Sequence, residues 1–205
     1  TTNGTTQNYG IYFTTSSNNN TINNNRINTA GSTGSNNGIY LATYSLGNNI
    51  TNNNIITNGT TQNYGIYLTT NSTLVSNNVI STVGSTNNNY GIALASTFWN
   101  NITDNNITTS GTSTNQGIIL LSCANNTVSN NIISAGGSGP GNYGIYLFSA
   151  VAENNITGNS VTTNGTTSNH GILLYIDAKN NLVNNNRITT GGSLNNNTGI
   201  YLLSS

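Results

Sequence analysis

Apolar residues recur along this chain in a fixed frame. Eight glycines, Gly10, Gly38, Gly65, Gly91, Gly117, Gly144, Gly171 and Gly199, are each followed by Ile and, two residues later, by Leu or Phe. A spacing of two puts each pair on one face of a short β-strand. A second apolar position follows 10 to 12 residues after the glycine, at Ile22, Ile50, Val75, Ile102, Val128, Ile156 and Val183. A third comes five residues later, at Ile27, Ile55, Ile80, Ile107, Ile133, Val161 and Ile188. An odd spacing cannot lie on one face of a straight strand, so the chain turns a corner between them. The glycines are 26 to 28 residues apart, a period that belongs to solenoids and other repeat arrays.

Polar positions mark the corners. Asn stands two residues before every repeat glycine, at Asn8, Asn36, Asn63, Asn89, Asn115, Asn142, Asn169 and Asn197. Another rank lies three residues after the second apolar position, from Asn25 and Asn53 to Asn186. Asn tolerates the left-handed backbone region, and stacked Asn amides can bond from one coil to the next as a ladder. The prediction is all-β: a right-handed parallel β-helix of about eight coils, each of about 27 residues and three short strands. At about 4.8 Å per coil the rod would be roughly 38 Å long.

A second glycine closes each repeat, and the run from it to the next repeat glycine alternates between six and seven residues: Gly4 to Gly10, Gly31 to Gly38, Gly59 to Gly65, Gly84 to Gly91. The unit is therefore a pair of coils, with every second loop one residue longer. Residues 1–205 read as a single domain. No cap segment is evident at either end. The start at Thr1 and the absence of Met point to a processed chain or a piece of a longer one.

Phrases such as Asn101-Ile102-Thr103-Asp104-Asn105-Asn106-Ile107 and Tyr143-Gly144-Ile145-Tyr146-Leu147 resemble the right-handed β-helix repeats of the NosD-like and carbohydrate-binding/sugar-hydrolase family. The resemblance covers essentially the whole chain and implies the fold. It implies function only loosely, because the family holds polysaccharide lyases and hydrolases, a periplasmic protein associated with copper delivery, and many surface proteins. Function has to be argued from sites.

Composition narrows the classes. Three basic and three acidic residues in 205 offer no patch for nucleic acid, and no apolar run is long enough to span a membrane. The acids Asp104, Glu153 and Asp177 fall in different coils at different offsets, which does not suit a carboxylate pair for glycoside hydrolysis. The reading is of a non-enzyme, with no catalytic residue, no metal site and no cofactor. His170 takes the slot of Tyr9, Tyr64, Tyr90 and Tyr143 and is expected to be an exposed filler. Cys123 takes a position filled elsewhere by Ser16, Tyr44, Thr97 or Ala150 and is expected to carry no chemistry. Arg26 and Arg187 share an offset six coils apart, as isolated surface residues would.

Outward positions after the repeat glycines form a candidate stripe of Tyr12, Tyr40, Tyr67, Ile119, Leu121, Tyr146, Phe148, Leu173, Tyr175, Tyr201 and Leu203. Such a stripe marks an interface or a platform for stacking sugar rings. A rank of Thr29, Thr57, Thr82, Thr109, Thr163 and Thr190 raises ice binding, but strand parity turns it inward, where its hydroxyls would bond along the axis. Eleven Asn-x-Ser/Thr sequons include the glycan acceptor candidates Asn49, Asn58, Asn101, Asn106, Asn155 and Asn164. The leading expectation is an extracellular or cell-surface structural subunit whose partner is itself, stacking end to end or sideways into a filament or layer. The alternative is a carbohydrate-binding adhesin module; a lyase, a hydrolase or an ice-binding protein comes after these.

Overall fold

The computed structural model describes residues 1–203; Ser204 and Ser205 of the 1–205 unit lie outside the described residues. Every element is a β-strand, and all pairings are parallel. Each coil passes through three sheets. The first sheet runs from Thr2–Gly4 and Arg26–Gly31 to Arg187–Thr190, and the second, which holds the glycine phrases, from Tyr9–Phe13 to Ile200–Leu203. The third comprises three-residue strands from Thr21–Asn23 to Leu182–Asn184. Eight, eight and seven strands make about seven full turns, one fewer than the count of phrases suggests.

The apolar frame is the core. Ile39, Ile66, Ile92, Ile118, Ile145 and Ile172 pair in register and are fully buried. Burying an Ile is worth about 1.5 to 3 kcal/mol, so each added coil stabilises its neighbours through such contacts. The five-residue gap between the second and third apolar positions does hold a corner, for example between Asn101–Thr103 and Asn106–Gly111.

The repeat glycine is a kink. Pairing includes the residues on either side of it and passes over the glycine itself, as in Tyr9 with Asn37 and Ile11 with Ile39. A Cβ on Gly91 would overlap Cγ2 of Ile107 and lie 2.5 Å from the Gly117 carbonyl oxygen. Backbone passes so close to core at this point that a side chain has no room.

Asn25 passes its amide to Asn53 at 3.0 Å, and the chain of bonds runs on through Asn78, Asn105, Asn131 and Asn159 to Asn186. The ladder from Asn8 to Asn197 is likewise unbroken, with seven links of 2.7 to 3.1 Å. The left-handed backbone, however, belongs to the residue before each ladder Asn: Gln7 before Asn8, Asn24 before Asn25. That residue turns the chain and the ladder Asn then points inward, so the two roles assigned to one residue fall on two. A third ladder, which the two ranks read from the sequence do not include, runs through Asn100, Asn126, Asn154 and Asn181. Thr73 occupies its place one coil before Asn100.

Loop alternation is visible as an inserted residue in every second coil, namely Gly34, Asn87, Pro140 and Asn195. Their carbonyls accept from Gln7, Gln62, Thr114 and Ser168 of the preceding coil. The amides of the next residues, Ser35, Asn88 and Gly141, donate to the following coil. The extra residue thus costs no backbone hydrogen bond.

Two inward features differ from expectation. Thr29, Thr57, Thr82 and Thr109 are buried as parity requires, yet their hydroxyls have no hydrogen-bond partner. Thr163, in the same rank, donates to the Asn169 carbonyl of its own coil and not along the axis. Cys123 stacks on Thr97, Sγ to Oγ1 3.5 Å, and belongs to the apolar core with Val151. Its equivalents are therefore inward residues, one place along from Tyr44 and Ala150.

Candidate functional site

The kink at each repeat glycine reshapes the outer face of the second sheet. In a straight strand residues three apart face opposite sides. Here Tyr9 and Tyr12 stack with ring centroids 5.0 Å apart, and Tyr64 and Tyr67 do the same at 5.0 Å. Two parallel columns of side chains therefore share one face. The outer column contains Tyr12, Tyr40, Tyr67, Ala93, Ile119, Tyr146, Leu173 and Tyr201, and the flanking column Tyr9, Asn37, Tyr64, Tyr90, Gln116, Tyr143, His170 and Thr198.

Six tyrosines gather at one end of this face. Tyr12, Tyr40 and Tyr67 stack at 5.2 and 5.0 Å with ring planes within 12° of parallel. Rings stacked along the axis cover one another's faces, which leaves their hydroxyl edges pointing outward. At the other end Tyr143 stacks on His170 at 5.5 Å, and Phe148 on Tyr175 at 5.8 Å. His170 also meets Tyr201, with ring centroids 4.9 Å apart.

The stripe is consequently less exposed than its sequence suggests. Ile119, in register between Ala93 and Tyr146, is 5% exposed, and so is Leu173, between Tyr146 and Tyr201. Tyr146 stands in register beside both. Leu121, Tyr146, Phe148 and Tyr175 are half-buried, while Tyr12, Tyr201 and Leu203 remain exposed. His170 is the clearest correction: the expected exposed filler is 95% buried between two aromatic rings.

Burial governs the titration of the face. Desolvation holds the Tyr64 and Tyr146 hydroxyls far above the ordinary value of 10 and lifts Tyr90 to about 12. The same cause lowers His170 below 6.5.

Among the grooves on this surface are two at opposite ends of the aromatic face. One, of about 220 Å³, is lined by Gln7, Tyr9, Ser35, Asn37, Tyr40, Tyr64 and Tyr67. The other, of about 340 Å³, lies among Tyr143, Tyr146, His170, Leu173, Tyr175 and Tyr201. Neither is lined by any of the six charged residues. Stacked rings, hydroxyl edges and neutral amides can hold a ligand by ring contact and hydrogen bonding.

Other candidate residues are dispersed. Asp104 and Glu153 are left-handed corner residues, each preceding a ladder Asn at a different corner, and Asp177 occupies another left-handed position with Lys179 2.7 Å from its carboxylate. Among the described residues no group of three His, Cys, Asp or Glu side chains comes together. Arg26 and Arg187 are exposed, each as the first residue of its strand in the first sheet. Of the sequon residues, Asn49, Asn58, Asn101, Asn106 and Asn164 are exposed and Asn155 is half-buried.

Comparison with known families gives one match: the model described as right-handed beta helix region covers residues 38–205. Searches of curated proteins and of solved structures found no match.

Proposed function

Since the chain belongs to the right-handed β-helix family, whose fold serves enzymes and non-enzymes alike, its surface has to carry the functional argument, and we propose that it is a non-enzymatic carbohydrate-binding module of an extracellular or cell-surface protein. The observation that carries this reading is the aromatic face of the second sheet, with its two uncharged grooves. Ring edges that line the grooves offer apolar contact to sugars, and hydroxyls and neutral amides offer hydrogen bonds to their oxygens. Exposed sequon asparagines and near-absence of charge fit a secreted environment, where attached glycans would supply solubility. A glycan array tests the proposal. Binding by the wild type that falls on Tyr146→Ala and Tyr201→Ala supports it, and an array without binding removes it.

Self-association of the rods is the second reading. It is supported by large apolar side chains exposed along the flanks of the rod, among them Val79 at 50%, Ile132 at 60% and Trp99 at 65%. Apolar side chains left open on a flank fit sideways packing against another copy. Light scattering over a concentration series tests it: growth in mass supports association, and monomers throughout exclude it.

A further inference from the structure

The aromatic face also holds chemistry that needs no bound ligand. Six of the eleven tyrosines, Tyr9, Tyr12, Tyr40, Tyr64, Tyr67 and Tyr90, fall within four successive coils. Their rings form one unbroken path. Tyr9 meets Tyr12 at 5.0 Å, Tyr12 meets Tyr40 at 5.2 Å and Tyr40 meets Tyr67 at 5.0 Å; Tyr67 then meets Tyr64 at 5.0 Å, and Tyr64 meets Tyr90 at 5.2 Å. The steps from Tyr12 to Tyr40 and from Tyr40 to Tyr67 cross from coil to coil, with ring planes 6° and 12° from parallel. Beyond Tyr90 the path stops, because the next coil presents Gln116 and Ile119.

Phenylalanine would stack as well, so packing accounts for the rings and not for their hydroxyls. Among the described residues none of the six hydroxyls bonds to another protein group, and none is sealed from solvent. The phenols are therefore free to react. Competing sinks for an oxidant are few: the chain has no Met, and its one Cys is buried.

We propose that these six tyrosines are an oxidative modification site, at which a one-electron oxidant such as a peroxidase with hydrogen peroxide joins rings of successive coils through dityrosine bonds. Two rings each give one electron to the oxidant and one phenolic proton to water, and become phenoxyl radicals. The radicals join by a C–C bond between carbons ortho to the oxygens, and the hydrogens on those carbons move to the oxygens. One peroxide is reduced to two waters. Fixed neighbours at stacking distance favour this coupling over encounter with another molecule. Tyr12, 49% exposed, gives the oxidant its entry, and exchange between adjacent rings carries the radical inward. A bond between coils restrains the unfolded chain as a disulfide does, in an array where each coil is held only by its neighbours. The site is independent of carbohydrate binding.

Two other sets of tyrosines serve as internal comparisons. Tyr44 is 74% exposed and belongs to no ring pair among the described residues, so it can couple only between molecules. Tyr143 and Tyr146 meet at 64°, and Tyr146 lies 6.5 Å from Tyr175 at 45°, a poorer arrangement than the parallel stack.

Peroxidase with limiting hydrogen peroxide, applied to the intact chain at low concentration, tests the proposal. Monomers should gain dityrosine fluorescence and lose two hydrogens for each bond, and their peptide mass map should join Tyr40 to Tyr12 or Tyr67. Cross-linked monomers should unfold at a higher urea concentration. Replacing both Tyr40→Phe and Tyr67→Phe, which keeps the rings, should lower the yield within monomers at least threefold, whereas Tyr44→Phe should leave it unchanged. Oxidation in denaturing urea should abolish the preference for the stack. Bonds found only between molecules, bonds within monomers that do not favour the stack, or no dityrosine at all would overturn the proposal. The peptide map is made on the wild-type chain, so it decides the matter even where a variant misfolds.

Discussion

Tyr64 and Tyr67 stack 5.0 Å apart on one strand although only two residues separate them. The kink at Gly65 makes this possible by passing the chain so close to Ile80 and the Gly91 carbonyl that no Cβ fits. One glycine therefore does two things: it seats the backbone on the core and it turns both rings outward. The aromatic face is a consequence of how each coil packs.

That relationship predicts a sharp contrast between glycines. Gly91→Ala places a Cβ against Ile107 and the Gly117 carbonyl, and overpacking at a backbone contact should destabilise by about 3 kcal/mol. Gly136→Ala meets nothing nearer than the Asn164 carbonyl oxygen at 3.7 Å and should stay within about 0.5 kcal/mol of wild type. Urea unfolding midpoints measure both.

Neighbouring asparagines should differ just as clearly. Asn78 donates to Ile50, Ser76 and Asn105 and accepts from the backbone and side chain of Asn53, all at 2.9 to 3.1 Å. Asn78→Ala strands several buried groups at once and should cost about 3 to 5 kcal/mol. Asn77 turns the corner at φ 55° with its side chain exposed, so Asn77→Gly should be nearly neutral in the same unfolding assay.

Buried hydroxyls without partners predict gains. Thr57→Val, Thr82→Val and Thr109→Val each exchange an unsatisfied oxygen for a methyl group in an Ile-lined core. Each should raise stability by about 1 kcal/mol, read as a higher denaturant midpoint at unchanged slope.

Stability should form a plateau in pH. Tyr9, Tyr64, Tyr67, Tyr90, Tyr143 and Tyr146 are lifted above 10 by burial, so above pH 10 the unfolded chain loses tyrosine protons that the folded chain keeps. The folded state then binds more protons, and stability falls as pH climbs through 10 toward the Tyr90 value of about 12. His170 is lowered below 6.5, so below that pH the unfolded chain binds the extra proton and stability falls as pH falls. Thermal midpoints between pH 4.5 and 12 should show both limbs, and His170→Phe should flatten the acid one.

Much of the architecture is legible in the sequence because every coil restates it. The glycine phrase, the five-residue corner and the alternating loops fix strands, corners and coil pairing. Two ladders stand at constant offsets from apolar landmarks. The third stands two residues before the second apolar position, yet Asn20 ends the run Asn18-Asn19-Asn20 and Thr73 interrupts the series, so composition hid its register. The candidate site was harder to read. Strand parity makes Tyr64 and Tyr67 face opposite ways, and only the close approach at Gly65 reverses that. Parity likewise shows that Ile119 and Leu173 point outward, but not that they are buried beside Tyr146.

The central claim, that the aromatic face of the second sheet is a carbohydrate site, is tested most directly by a crystal structure of the chain soaked with the tightest-binding glycan of the array. The account predicts sugar density on this face, against the tyrosines that line its grooves. Sugar bound on the first or third sheet, with the Tyr9–Tyr64 groove holding only water, would contradict it.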